Sequence, residues 1–141
     1  MTPKDWTLLV LVAAGKPVSP VQLQKSLFLL GRNLGASQLG QPFYQFQAYD
    51  YGPFCQQVYA DAEGLECAGD VVITSGGRYR EYAATPSGVE RAAKLRKGLD
   101  PVAATYLDEV VRWVRARSFN ELVKAIYRAY PEMKANSVFR Q

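Results

Sequence analysis

The sequence predicts a mainly α chain of the α+β type: a winged-helix-like core, a small β-hairpin wing and two extra C-terminal helices. Three observations predict it. Thr2-Pro3, Ser19-Pro20, Thr85-Pro86 and Asp100-Pro101 each set a capping side chain before a proline at the first helical position, where its missing N–H costs nothing. Val71–Thr74 and Arg80–Ala83 are β-favouring runs around Ser75-Gly76-Gly77-Arg78, a hairpin signal. Tyr51-Gly52-Pro53 puts a rigid corner between an alternating aromatic run and a helical one. The resulting order is helix, helix, helix, two-stranded wing, helix.

The first helix, about Pro3 to Ala14, is apolar almost all round and should be buried. The second starts at Pro20. Its Leu23, Leu27, Leu30 and Leu34 fall on one face, and Gln22, Lys25, Ser26, Arg32 and Asn33 lie away from that stripe. Gly35 to Gln41 reads as a loop. Tyr44, Phe46 and Ala48 alternate with Gln45 and Gln47, the period of a short strand. The third helix is expected from about Pro53 to Cys67, with Phe54, Val58, Ala62 and Leu65 inward and Gly69 as its stop. A fourth follows from about Pro86 to Lys97. A fifth, about Pro101 to Arg117, has Tyr106, Val110, Trp113 and Val114 on one side and an Asp108–Arg112 pair one turn apart. The sixth follows the capping box Ser118-Phe119-Asn120-Glu121, with Leu122, Val123, Ile126, Tyr127 and Tyr130 inward, and ends at Pro131. The 141 residues make one domain: core about 3–97, helical extension about 101–131, tail 132–141, with Lys134 to Gln141 expected to be mobile.

Composition narrows function. A chain of this size buries a core without metal or disulfide. No apolar run approaches the roughly 18 residues of a membrane span, and no signal peptide is recognisable, so the chain reads as cytoplasmic, full length and without membrane contact. There is no histidine, which removes Ser-His and Cys-His catalysis and His-ligated zinc. Cys55 and Cys67, twelve residues apart on one expected helix, would lie about 18 Å from each other and read as buried small side chains, not a disulfide. The acid pairs Asp61/Glu63 and Asp108/Glu109 sit on helices expected to be exposed, and no phosphate loop is present. The expectation is a protein that is not an enzyme and takes no cofactor or metal.

The net charge of +4 is uneven. Residues 1–70 carry four basic and six acidic side chains, net −2, and residues 71–141 carry thirteen and seven, net +6. A basic half suits an anionic partner or is simply a solvated face. Winged-helix order raises duplex DNA, with Gln56 and Gln57 on the third helix facing base edges, and Arg78 and Arg80 of the wing and Arg91 and Lys94 of the fourth helix facing phosphate. Yet that third helix holds Asp61, Glu63 and Glu66 and no base, which opposes groove entry. The aromatics Phe43, Tyr44, Phe46, Tyr49, Tyr51 and Phe54 lack interleaved Lys/Arg, so they read as core in preference to base-stacking groups.

Leu23-Gln24-Lys25-Ser26-Leu27-Phe28-Leu29-Leu30 followed by Tyr49-Asp50-Tyr51-Gly52-Pro53 resembles two related bacterial groups. These are the Panacea antitoxin domain, with its SocA-like phage-associated members, and the YwgA-like proteins. The resemblance covers roughly residues 5–90. Panacea members usually carry Trp and Lys before Tyr-Gly-Pro, where Tyr49 and Asp50 stand here. The resemblance implies a protein-interaction module that neutralises a toxin or hands it to a protease. It makes Lys25, Tyr51, Gly52 and Pro53 framework or partner-groove residues, and the Tyr-Gly-Pro corner itself suggests a groove lined by Tyr49, Tyr51 and the start of the third helix. Three expectations follow: a protein-binding module of the antitoxin or defence-accessory kind, a winged-helix DNA-binding regulator, and a small-molecule sensor behind the Tyr-Gly-Pro corner. The two C-terminal helices could also join a homodimer.

Overall fold

A computed structural model of the chain describes residues 1–40 and 42–139. It is mainly α, with two small antiparallel strand pairs. Helix α1 (Pro3–Ala14) is the central post. Thr2 and Asp5 cap its start reciprocally, and Gly15 ends it in the left-handed region at φ 68°. Trp6 to Leu11 are buried among α2 (Pro20–Asn33), α4 (Gln56–Cys67), α5 (Pro86–Lys97) and α6 (Pro101–Arg115).

Helix α2 opens on a Ser19–Gln22 capping box. The Leu23, Leu27, Leu30 and Leu34 stripe is buried, and Arg32 and Asn33 are exposed, as the periodicity predicts. Lys25 and Ser26 are not: every residue from Leu23 to Leu30 is buried. The opposite side of α2 is covered by a strand pair that the helical period could not reveal, β1 (Gln47–Tyr49) and β2 (Gly52–Phe54).

This pair corrects two expectations. The strand is shorter than Tyr44–Ala48: Tyr44 and Phe46 lie before it and pack as side chains, Phe46 edge-on to Phe28. Pro53 does not open a helix either. Gly52-Pro53-Phe54 folds back on β1 in the register Tyr49↔Gly52, Ala48↔Pro53, Gln47↔Phe54. Helix α4 therefore begins only after Cys55, with Val58, Ala62 and Leu65 inward and Phe54 outside the helix. The Gly35–Gln41 loop holds one helical turn, α3 (Ala36–Leu39), with Gln38 Oε1 accepting from the Gly35 N–H. Gln41 lies outside the described residues.

Strands β3 (Val71–Thr74) and β4 (Glu81–Ala84) form the expected hairpin. Val18, between α1 and α2, exchanges two backbone hydrogen bonds of 2.9 Å with Tyr82, tying the hairpin to the helical body. Asp70 before it is 4% exposed and accepts from Ser87 Oγ and Arg91 Nη1. Asp108 pairs with Arg96 of α5 at 2.8 Å, across helices and not with Arg112 one turn along its own. Both cysteines are free. Cys55 is half-buried and Cys67 is exposed, so the expected burial fails.

Helix α7 (Phe119–Ala129) buries Leu122, Val123, Ile126 and Tyr127, and a 3-10 turn follows at Pro131–Lys134. The tail is tied down as far as Phe139, contrary to expectation. Val138 N–H donates to the Asp50 carbonyl at 2.9 Å, Asn136 Nδ2 to the Ala48 carbonyl at 3.1 Å, and Tyr127 OH to Ser137 Oγ at 2.7 Å. Arg140 and Gln141 lie outside the described residues. Among the described residues no helix is long and apolar enough to cross a membrane.

A Cβ on Gly88 would stand 2.1 Å from the Asp70 carbonyl oxygen, whereas one on Gly76 would meet nothing within 4 Å. Gly88→Ala is expected to cost about 3 kcal/mol or more of unfolding free energy. Gly76→Ala should stay within about 0.5 kcal/mol, and urea unfolding of the pair checks the contrast.

Candidate functional site

The five residues Lys25, Tyr49, Tyr51, Gly52 and Pro53 line one small cavity of about 170 Å³. Two structural facts bring them together. The β1–β2 turn, Asp50-Tyr51, lies against α2, and Gln24 one residue before Lys25 locks it there. Gln24 Nε2 donates to the Cys55 carbonyl, and the Cys55 N–H donates to Gln24 Oε1, each at 2.9 Å. Gly52 follows the turn at φ +106°, a region that a side chain rarely adopts. A Cβ there would lie 3.3 Å from Tyr127 Cε1 and 3.6 Å from Lys25 Nζ. Glycine is thus required by its backbone angle and by the close approach of the turn to Tyr127.

The walls are aromatic. Tyr49 stacks on Phe54 at 4.9 Å, and Phe54 meets Tyr59 edge-on at 5.6 Å. Lys25 sits at the floor, 3% exposed. Among the described residues its ammonium makes no ion pair, no hydrogen bond and no cation–π contact; the four ion pairs and three cation–π contacts there all belong to arginines. Burial alone pulls its pKa down from 10.5 to about 8. Asp50 lines the same cavity without pairing with it.

The cavity shares Val21 and Tyr51 with a larger groove of about 690 Å³. That groove runs between the start of α2, the tip of the β3–β4 hairpin and the start of α7. Tyr51, Tyr79 and Phe119 line it, 41%, 59% and 43% exposed, and Tyr51 packs edge-on to Phe119 at 5.1 Å. Arg78 and Arg117 bring positive charge and Glu81 the opposing acid. Sequence reading missed Tyr79, Arg117 and Phe119. The legible signal was Phe119 itself, a large apolar residue in the first turn of α7 but off its buried stripe.

The residues named for nucleic acid do not gather in this way. Gln56 and Gln57 start α4, and Gln57 Nε2 donates to Asp61 at 2.9 Å. Arg80 faces Glu63 at 3.4 Å and Arg91 pairs with Asp70 at 2.9 Å, so both meet acids of their own chain. Arg78 and Lys94 are exposed, one on the hairpin and the other on α5. The three acids of α4 are each engaged: Asp61 also accepts from Tyr44 OH at 2.5 Å, Glu63 from Arg80, and Glu66 from the Ile73 N–H at 2.9 Å. Burial and the Asp61 carboxylate push the Tyr44 phenol well above its ordinary value. On the far side, Trp113 lines an apolar depression of about 320 Å³ between α2, α6 and α7, while Tyr127 belongs to the core.

Comparison with known proteins gives no matching family model, no matching curated protein and no matching solved structure.

Lys25 should cost the fold stability. Its folded pKa lies below its unfolded one, so the unfolded chain holds more protons between about 8 and 10.5, and stability rises with pH across that window. Below it the full burden applies, about 3 kcal/mol for a shift of this size. Lys25→Met is expected to unfold at higher urea than the parent below that window, with the gap closing as pH rises through it.

Proposed function

We propose that this chain is a non-enzymatic, winged-helix-like protein-interaction module of the antitoxin or defence-accessory kind. Its groove takes an extended, acidic segment of a partner protein. The observation that carries the reading is the groove itself: three half-exposed aromatic rings, two arginines and, across the shared Val21 and Tyr51, a lysine with no partner among the described residues. Rigid aromatics and arginines concentrate binding energy at protein interfaces. Arg78 and Arg117 favour a segment of opposite charge. The resemblance to Panacea and YwgA-like domains supports the same reading, because its two motifs touch here where Lys25 lies beneath Gly52. The winged-helix order is supported by the Val18–Tyr82 bridge, which lays a third backbone segment along the wing.

A stoichiometric partner should co-purify with the native protein, and Phe119→Ala or the Arg78→Glu/Arg117→Glu pair should reduce its recovery at least tenfold, the scale of about 1.4 kcal/mol or more expected of interface anchors. Co-purification that brings down no such partner, or one indifferent to these changes, refutes the assignment. A DNA-binding regulator is the competing reading, favoured only by the exposed Arg78 and the basic α5. Anisotropy of a labelled duplex at two salt concentrations separates the two. We expect no steep salt slope, since Arg80 and Arg91 already meet acids of their own chain.

A further inference from the structure

We propose that the Lys25 cavity is a carboxylate socket, in which the buried ammonium receives one carboxylate of the bound segment. The inference rests on the partner-groove reading above and names the anchoring chemistry of that site.

The chemistry follows from what surrounds the lysine. It is enclosed, yet no carboxylate, carbonyl or ring face among the described residues offsets its charge. No buried side-chain nitrogen or oxygen is left without a partner there, so Nζ keeps its residual opening, and Lys25 lines the cavity. A buried charge without a counter-charge is costly, and a ligand that supplies the counter-charge recovers that cost on binding. The cavity is small, about 170 Å³, and walled by Tyr49, Tyr51, Pro53 and Tyr59. One cation matches one carboxylate. A phosphate monoester carries nearly two charges and usually recruits several donors or arginines, which this floor lacks.

The other charged and titratable groups here are Asp50 on the turn, Tyr49 and Tyr51 beside it, Tyr59 from α4, and Tyr127 from α7 beneath Gly52. Burial raises the Tyr59 and Tyr127 phenols, so both stay neutral while Lys25 titrates. Among the described residues Asp50 is the one anion lining the cavity, and its charge opposes an incoming carboxylate.

The test uses the whole chain with ¹³Cε-labelled lysine, followed by NMR against acetate, benzoate and inorganic phosphate. The Lys25 resonance should titrate near 8 in the free protein and shift saturably with both acids. The carboxylate should raise its midpoint by about one unit or more, so affinity should fall roughly tenfold per pH unit once the free midpoint is passed. Asp50→Asn should tighten benzoate binding severalfold. Lys25→Met should abolish it, and Lys94→Ala, on the exposed face of α5 and outside both the cavity and the groove, should leave it within about twofold.

Two model peptides identify the source. One carries a single glutamate and an amidated end; the other carries a free carboxyl end and no acidic side chain. Binding of either supports the socket and says which carboxylate it takes. If the free acids bind but neither peptide does, the socket stands and the partner-segment reading falls. If acids and peptides bind Lys25→Met as well as the parent, if phosphate binds as tightly as carboxylate, or if nothing shifts Lys25, the proposal is overturned. Partner capture that survives Lys25→Met but is lost in Phe119→Ala would likewise sink the socket while leaving the groove intact.

Discussion

The enclosure of α2 on all sides from Leu23 to Leu30 is the constraint from which the rest of the structure follows. A helix between two layers must bury its polar residues too, and each needs a partner or carries a penalty. Gln24 finds its partner in the Cys55 backbone and so fixes where the β1–β2 turn lies. Lys25, on the next position, finds none among the described residues. The same covering layer therefore places a turn and a buried cation within one cavity.

Glycine makes that layer possible in two places. At Gly52 the turn comes within a methyl group's distance of Lys25 and Tyr127, and at Gly88 helix α5 rests directly on the Asp70 carbonyl. In both, the absent side chain lets backbone approach a polar group that fixes the neighbouring element. Asp70 then gathers Ser87 and Arg91, and that accounts for part of the basic charge of the C-terminal half. Charge counted along the chain does not show that Arg91, although exposed, is paired with an acid of the first half.

Elements with local signals were legible. Caps at Thr2, Ser19, Thr85, Asp100 and Ser118 each accept the expected backbone N–H. What escaped was decided by distant partners. Lys25 sits off the leucine stripe, so periodicity alone placed it outside, and only a covering strand pair reverses that. The Gly52-Pro53-Phe54 segment has the same letters in a strand as at a helix entry; its pairing with Gln47–Tyr49 settles the matter. Asp108 had a good partner one turn away and a better one, a bidentate arginine, on the neighbouring helix. Of the groove, the Tyr-Gly-Pro side was readable, and Tyr79, Arg117 and Phe119 converge on it only through the fold.

The strap formed by Asn136 and Val138 places the outer brace of the β1–β2 turn some 88 residues beyond it in sequence. Translation proceeds at about 5–20 residues per second, so the ribosome needs roughly 4 to 18 s to pass from the turn to its brace. During that interval the Ala48 and Asp50 carbonyls still lack these two donors. A nascent chain would thus present a turn without its outer brace until synthesis has passed Val138.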